Sequence, residues 1–148
     1  MYWIDFPPAW TLYALLAAWG ISVLEPEWLG FGMHHAALGM VVIALGLGLM
    51  LWASAVMLWH RTQVMPRREA ATLVTTGPFR FSRNPIYLGD LVLLTGGALI
   101  LDAPLALVLV PVLAAILSRR FIRPEEAMLR ARFGPAFEAW SGRTRRWL

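Results

Sequence analysis

The stretch TTGPFRFSRNPIYLGD, residues 75 to 90, sets Arg80, Arg83, Asn84, Tyr87 and Asp90 close together, punctuated by Gly77, Pro78 and Pro85. A second polar group, Glu125-Glu126, follows in RPEEAMLRARFGPAFEAW, residues 123 to 140. A guanidinium grips a carboxylate through paired N–H donors, and a carboxylate accepts from ammonium or hydroxyl groups. If folding brings the two groups to one face, their opposite charges suit a zwitterionic ligand. Taken alone, Glu125-Glu126 reads as an ordinary acidic helix start after Pro124, with Glu126 paired to Arg130 four residues on.

The elements that must position these residues are apolar. The 148-residue chain is 59% hydrophobic and only 15% charged, which points to a membrane protein rather than a soluble domain. The length fits one domain, residues 1 to 148. Cysteine is absent, which removes disulfides, thiol nucleophiles and thiolate metal sites. All 13 basic residues are arginine. They flank apolar segments instead of forming one basic face, so anionic lipid headgroups are the expected neighbours and nucleic acid is not.

Spanning the hydrocarbon core takes about 20 apolar residues in a helix. Four segments are candidates: 9–24, 36–59, 86–101 and 105–118. The last two are separated only by Asp102, Ala103 and Pro104 and read as a tight helical hairpin. Pro111 is expected to kink the fourth helix. Gly39, Gly46, Gly48, Gly96 and Gly97 allow close helix approach. The expected fold is an all-α integral membrane protein with four transmembrane helices and a cytoplasmic tail, residues 119–148, of short amphipathic helices.

Arginine placement orients the bundle. Arg61, Arg67, Arg68, Arg80 and Arg83 lie between the second and third spans, and eight more lie in the tail. The other two loops hold Glu25, Glu27 and Asp102 but no arginine. Positive loops stay inside, so both termini and the polar stretch are expected on the cytoplasmic face. MYWIDFPP lacks a basic leader, so the first helix is not expected to be cleaved. Trp3, Trp10, Trp28 and Trp59 fall near the expected interfaces.

In the tail, Leu129, Phe133, Phe137 and Trp140 form an apolar stripe interrupted by Gly134-Pro135. Such helices either lie on the membrane surface or cap the bundle. His34 and His35 read as an exposed loop pair and not as metal ligands, and His60 as an interfacial cap. No metal site is expected.

LVTTGPFRFSRNPIYLG (73–89), an apolar hairpin, and then RPEEAMLRARFGPAFEAW together resemble the isoprenylcysteine carboxyl methyltransferase family. More broadly they are similar to the integral-membrane methyltransferases that include phospholipid methyltransferases. The resemblance covers residues 73 to 148. It implies S-adenosylmethionine as cofactor, S-adenosylhomocysteine as product, and a lipophilic or prenylated acceptor met among membrane lipids, in the inner membrane of a bacterium. It further implies a site between the third and fourth helices and the carboxy-terminal helix. There Arg83 and Tyr87 meet the cofactor's carboxylate, while Glu125 and Glu126 meet its ammonium and ribose hydroxyls. The backbone of Leu73, Val74, Thr75 and Gly77 meets the adenine edge, and Asn84 and Leu88 complete the lining. Family members that methylate carboxylates carry histidine where this chain has Asn84, which loosens the implied prenylcysteine substrate. O-methylation of an isoprenylcysteine-like carboxylate is the family default, with Arg123 orienting it. A phospholipid amine or a thiol is the alternative, with Asp90 taking the proton an amine must lose. A non-enzymatic subunit that binds anionic lipid is the reading from a different class.

Overall fold

The computed structural model describes residues 6–32, 34–62 and 72–148. The expectations on Met1 to Asp5, including Trp3, and on Arg67 and Arg68 fall outside those residues. The described chain is helical, with no strand: α1 (Pro7–Leu24), α2 (His35–Trp59), α3 (Pro85–Ile100), α4 (Leu109–Leu117), α5 (Arg123–Phe133) and α6 (Pro135–Ser141). The first three helix bounds fall within one or two residues of the hydropathy reading, because uninterrupted apolar runs between Pro and Gly punctuation leave little else for the backbone to do.

Among the described residues, three stretches are long and apolar enough to cross a membrane: Pro7–Leu24, His35–Trp59 and Pro104–Phe133. Helix α3 is apolar but has 16 residues, about 24 Å of helix against a hydrocarbon core of about 30 Å. Large apolar side chains stay exposed along α1 at Leu12, Leu16, Trp19 and Val23, and along α2 at Leu38, Val41, Leu45 and Trp52. These spacings give each helix one continuous outward apolar face, as contact with lipid requires. Trp28 and Trp59 are also exposed, at opposite ends of the helices, where an aromatic belt would lie.

Helices α2 and α3 form the most extensive helix pair, and glycine makes it possible. They run antiparallel with Gly39 facing Gly96 and Gly46 facing Gly89. A Cβ at Gly39 would lie 2.8 Å from the Gly96 carbonyl, and one at Gly96 would lie 2.9 Å from the Gly39 carbonyl. Without side chains the backbones approach closely, and dispersion replaces the hydrophobic drive that lipid cannot supply. Gly97 instead makes room for the Leu15 side chain of α1, whereas Gly48 faces open space.

In the fourth apolar segment helical structure continues past residue 118. It opens as a 3-10 stretch, Pro104–Val108, and becomes α at Leu109, so Pro111 falls in the first α turn, where an absent N–H costs little. The chain then passes through a π turn, Ser118–Ile122, directly into α5. The Arg123 N–H donates to the Ser118 carbonyl five residues back. The wider turn accommodates Pro124, which has no N–H to give and whose ring would crowd an α-helical carbonyl. The helix therefore does not restart at Pro124. Glu125 and Glu126 do not sit at a free helix end, and the dipole account of them fails.

At the end of the bundle away from the arginines, the α3–α4 turn places Asp102 at φ 52, in the left-handed region. Its carboxylate accepts the Phe31 N–H at 2.7 Å and lies 3.8 Å from His35 Nε2. His35 Nδ1 donates to the Leu99 carbonyl at 2.9 Å. His35 thus opens α2 and holds the α3–α4 turn, which corrects its reading as an exposed loop residue. His34 is exposed. Glu25 accepts the Leu105 N–H at 3.2 Å and ties the end of α1 to the same turn.

Candidate functional site at the arginine end of the bundle

Asn84 precedes Pro85, which starts α3 with its missing N–H harmlessly placed at the first turn. Tyr87 falls on the first turn of α3, facing the core, where its ring lies against Phe121 of the π turn at 6.4 Å. Its hydroxyl donates to Glu125 Oε1 at 2.8 Å. The π turn and the helix after it thus carry the glutamates to α3. Glu126, one residue on, is buried and accepts three contacts. Arg146 Nε and one terminal nitrogen grip it bidentately at 3.1 and 2.6 Å, and Arg83 approaches Oε1 at 3.4 Å. Its hydrogen bond to Glu126, aided by the carboxylate's charge, raises the Arg146 pKa above its ordinary value despite partial desolvation.

The segment 142–148 folds back to make these contacts. The Arg145 carbonyl accepts the Arg83 N–H at 2.9 Å, and the Arg146 carbonyl accepts Asn84 Nδ2 at 3.0 Å. Trp147 packs on the core cluster that contains Tyr87, Leu117 and Phe121. Sequence reasoning missed Arg146 as a site residue and counted it only among the tail arginines. No spacing rule links positions 126 and 146; the one signal was Trp147, a large aromatic directly after Arg146 in a run of arginines, which docking of the segment would shelter.

Residues 72 to 81 lie across the end of α2. Thr72 bonds to Thr62 and to the His60 carbonyl, and His60, the C-cap residue of α2, meets Thr76 Oγ1 through Nε2 at 3.1 Å. Gly77, at φ 58, passes beside Val56 and Trp52 where a side chain would crowd. Among the described residues Leu73, Val74, Thr75 and Gly77 donate no backbone hydrogen bond, so those amides are available to a ligand. Val74 and Phe79 pack with Ala53, Phe137 and Trp140, flanked by Leu73, Leu129 and Phe133. Trp140 Nε1 donates to the Phe79 carbonyl at 3.1 Å. The apolar stripe of the tail therefore caps the bundle. Arg130 turns away from Glu126 and pairs with Glu138 at 2.6 Å, correcting the expected partner.

The structure brings together Arg83, Asn84, Tyr87, Glu125 and Glu126, with the 73–77 backbone alongside. Leu88 is half-buried on α3. Asp90 is buried at 2% exposure one turn deeper than Tyr87. Arg123 lies exposed at the start of α5 and takes no part in the ion pairs of Glu126. Among the described residues no group of three or more His, Asp or Glu side chains could hold a metal ion.

The phospholipid methyltransferase family model matches residues 34–136, which span α2 to the start of α6 and both polar groups. The chain belongs to the phospholipid methyltransferase family. No curated protein matches it. As a member of this family of membrane methyltransferases, the chain has its Arg-Asn-Pro-x-Tyr loop and Glu-Glu pair joined directly, through Tyr87–Glu125 and Arg83–Glu126. The match ends before Arg146, so the contacts of the tail are read from this chain alone.

Proposed function

We propose that this protein transfers a methyl group from S-adenosylmethionine to a lipophilic acceptor that enters from the bilayer. The observation that carries the reading is the convergence of Arg83, Tyr87, Glu125 and Glu126, from two segments far apart in sequence, at one end of an apolar bundle. The residues present fit the cofactor. Arg83 Nε is buried and, among the described residues, has no hydrogen-bond partner, an open donor for a carboxylate. Glu125, half-buried beside the Tyr87 hydroxyl, suits an ammonium or a ribose hydroxyl, and the 73–77 amides suit a base edge. When bound, S-adenosylmethionine supplies a methyl group on a positively charged sulfur.

Alignment supplies much of the catalysis in such a displacement, and this chain aligns by rigid parts. Asn84 immediately precedes, and Tyr87 sits on, the first turn of a helix locked by glycine packing, and the glutamates sit on a continuous helix. In our reading α3 completes a four-helix bundle, with both termini and the site on the cytoplasmic side because that end carries the arginines.

Of the two acceptor classes, the arrangement favours an amine. Asp90 is a buried carboxylate one turn below Tyr87, placed to take the proton that an amine releases as its new C–N bond forms. Ionisable groups inside membrane segments are functional suspects. A carboxylate acceptor would look to Arg123, which is exposed. Calorimetry on detergent-purified protein tests the cofactor: S-adenosylhomocysteine is expected to bind, and its failure to bind a folded protein overturns the reading. Incubation with methyl-labelled cofactor and a lipid extract tests the acceptor. Base-stable label recovered as a methylated amine after hydrolysis marks an N-methyl product, whereas label recovered as a thioether, or released by mild base as methanol from an ester, overturns the amine assignment.

A further inference from the structure

We infer that Arg83, Glu126 and Arg146 form one carboxylate-binding unit, in which Arg146 occupies Glu126 so that Arg83 keeps a surplus positive charge for the cofactor's amino-acid end. This rests on the cofactor reading above. Two guanidinium groups and one carboxylate give these three side chains a net charge of +1, while the neighbouring Glu125 accepts from the Tyr87 hydroxyl; side-chain exposure is only 15% for Arg83 and 11% for Glu126. A surplus charge that is poorly hydrated is a standing demand for an anion.

The geometry shows which arginine holds the surplus. Arg146 meets Glu126 through two bonds, at 3.1 and 2.6 Å, the side-by-side arrangement that a guanidinium and a carboxylate favour. Arg83 meets the same carboxylate through one longer contact, 3.4 Å, and its Nε has no partner among the described residues. Arg146 is thus committed and Arg83 is not. The backbone reinforces the division. The Arg145 carbonyl holds the Arg83 N–H, and the Arg146 carbonyl holds the Asn84 amide and, at 3.4 Å, the Ser82 hydroxyl. The tail therefore fixes where Arg83 stands as well as what it faces. Remove the Arg146 charge, and Glu126 is left to pair with Arg83, cancelling the cation the ligand needs. Arg146 acts through Arg83 and Glu126, and is a positioning residue.

Calorimetry with S-adenosylhomocysteine on the full chain in detergent tests this. Truncating one member of a buried, hydrogen-bonded charge pair is a large perturbation, so Arg146→Met is expected to weaken binding by about tenfold or more. Arg146→Lys keeps the charge and should bind within about threefold of the parent, since charge partition needs a cation more than a fork. The deciding variant is Glu126→Gln combined with Arg146→Met. With no carboxylate left to capture Arg83, the loss on removing Arg146 should shrink to about threefold or less relative to Glu126→Gln alone, a coupling a double-mutant cycle reads directly. An unaltered affinity in Arg146→Met, or a full tenfold loss that persists in the Glu126→Gln background, overturns the inference while parental binding upholds the cofactor reading. If Arg146→Met does not fold, the comparison of the double variant with Glu126→Gln decides. Absence of binding by the parent protein overturns both.

Discussion

The two ends of the helical bundle both gather ionisable side chains, and they do different things with them. At the α3–α4 end, Asp102, His35 and Glu25 are matched to backbone groups: the Phe31 and Leu105 N–H groups and the Leu99 carbonyl. Charge there closes turns. At the opposite end, Arg83, Arg146, Glu126, Tyr87 and Glu125 are matched to one another, and the arginines outnumber the carboxylate they share. A polar cluster matched to backbone is architecture, whereas one matched to itself with charge left over is waiting for a ligand. Each end leaves one buried atom, Glu25 Oε2 or Arg83 Nε, without a hydrogen-bond partner among the described residues, so the surplus charge is what separates them. The contrast separates the two without any appeal to which residue types are present, since both ends hold acids and bases.

The comparison predicts a graded set of outcomes. The largest is at Arg83: Arg83→Met removes the uncommitted cation and should cut S-adenosylhomocysteine affinity by about 30-fold or more by calorimetry, on the scale of about 2–5 kcal/mol for a buried charge partner. Next is the packing that both ends depend on. Gly96→Leu forces a side chain against Ile43 and the Gly39 carbonyl, and should lower stability by about 1–3 kcal/mol in detergent melts. Gly48→Leu, in open space, should leave the melt unmoved. Tyr87→Phe deletes one hydrogen bond to a carboxylate and should weaken cofactor binding about tenfold, from about 1.5 kcal/mol for a charge-assisted bond. The smallest effect belongs to the other end. His35→Ala should cost no more than about 1 kcal/mol of stability, the scale of a half-exposed polar contact, and leave cofactor binding intact. A binding defect there equal to that of Tyr87→Phe would dissolve the distinction between the two ends.

Much of this was legible in the sequence, for identifiable reasons. Apolar runs bounded by Pro and Gly located α1, α2 and α3, because lipid leaves the backbone no alternative to helix. The glycines at 39, 46 and 96 announced close packing, although which faces which depends on the antiparallel register and only the structure supplies it. The Arg-Asn-Pro-x-Tyr and Glu-Glu groups were visible as chemistry in an apolar chain. Three things were not. Pro124 followed by two glutamates reads as a helix start, and the π turn that lets the helix run through it has no composition of its own. Arg130, at the favoured spacing from Glu126, instead meets Glu138 across the Gly134 bend, because tertiary geometry outweighs a local pair of small energy. Arg146 was hidden because it reaches Glu126 by chain reversal, to which helical periodicity is blind.

The π turn at Ser118–Ile122 also carries an extra residue without changing the phase between membrane and site. It closes a turn with about one residue more than an α turn, so each of its residues advances the helix by less than the roughly 100° of an α-helix. The extra residue is absorbed locally, and Glu125 and Glu126 keep their phase to the core face of α4 at Leu113 and Leu117. Deleting a single residue here would return an α turn and remove the width that clears the Pro124 ring. The deletion should therefore be tolerated only when Pro124 is replaced as well.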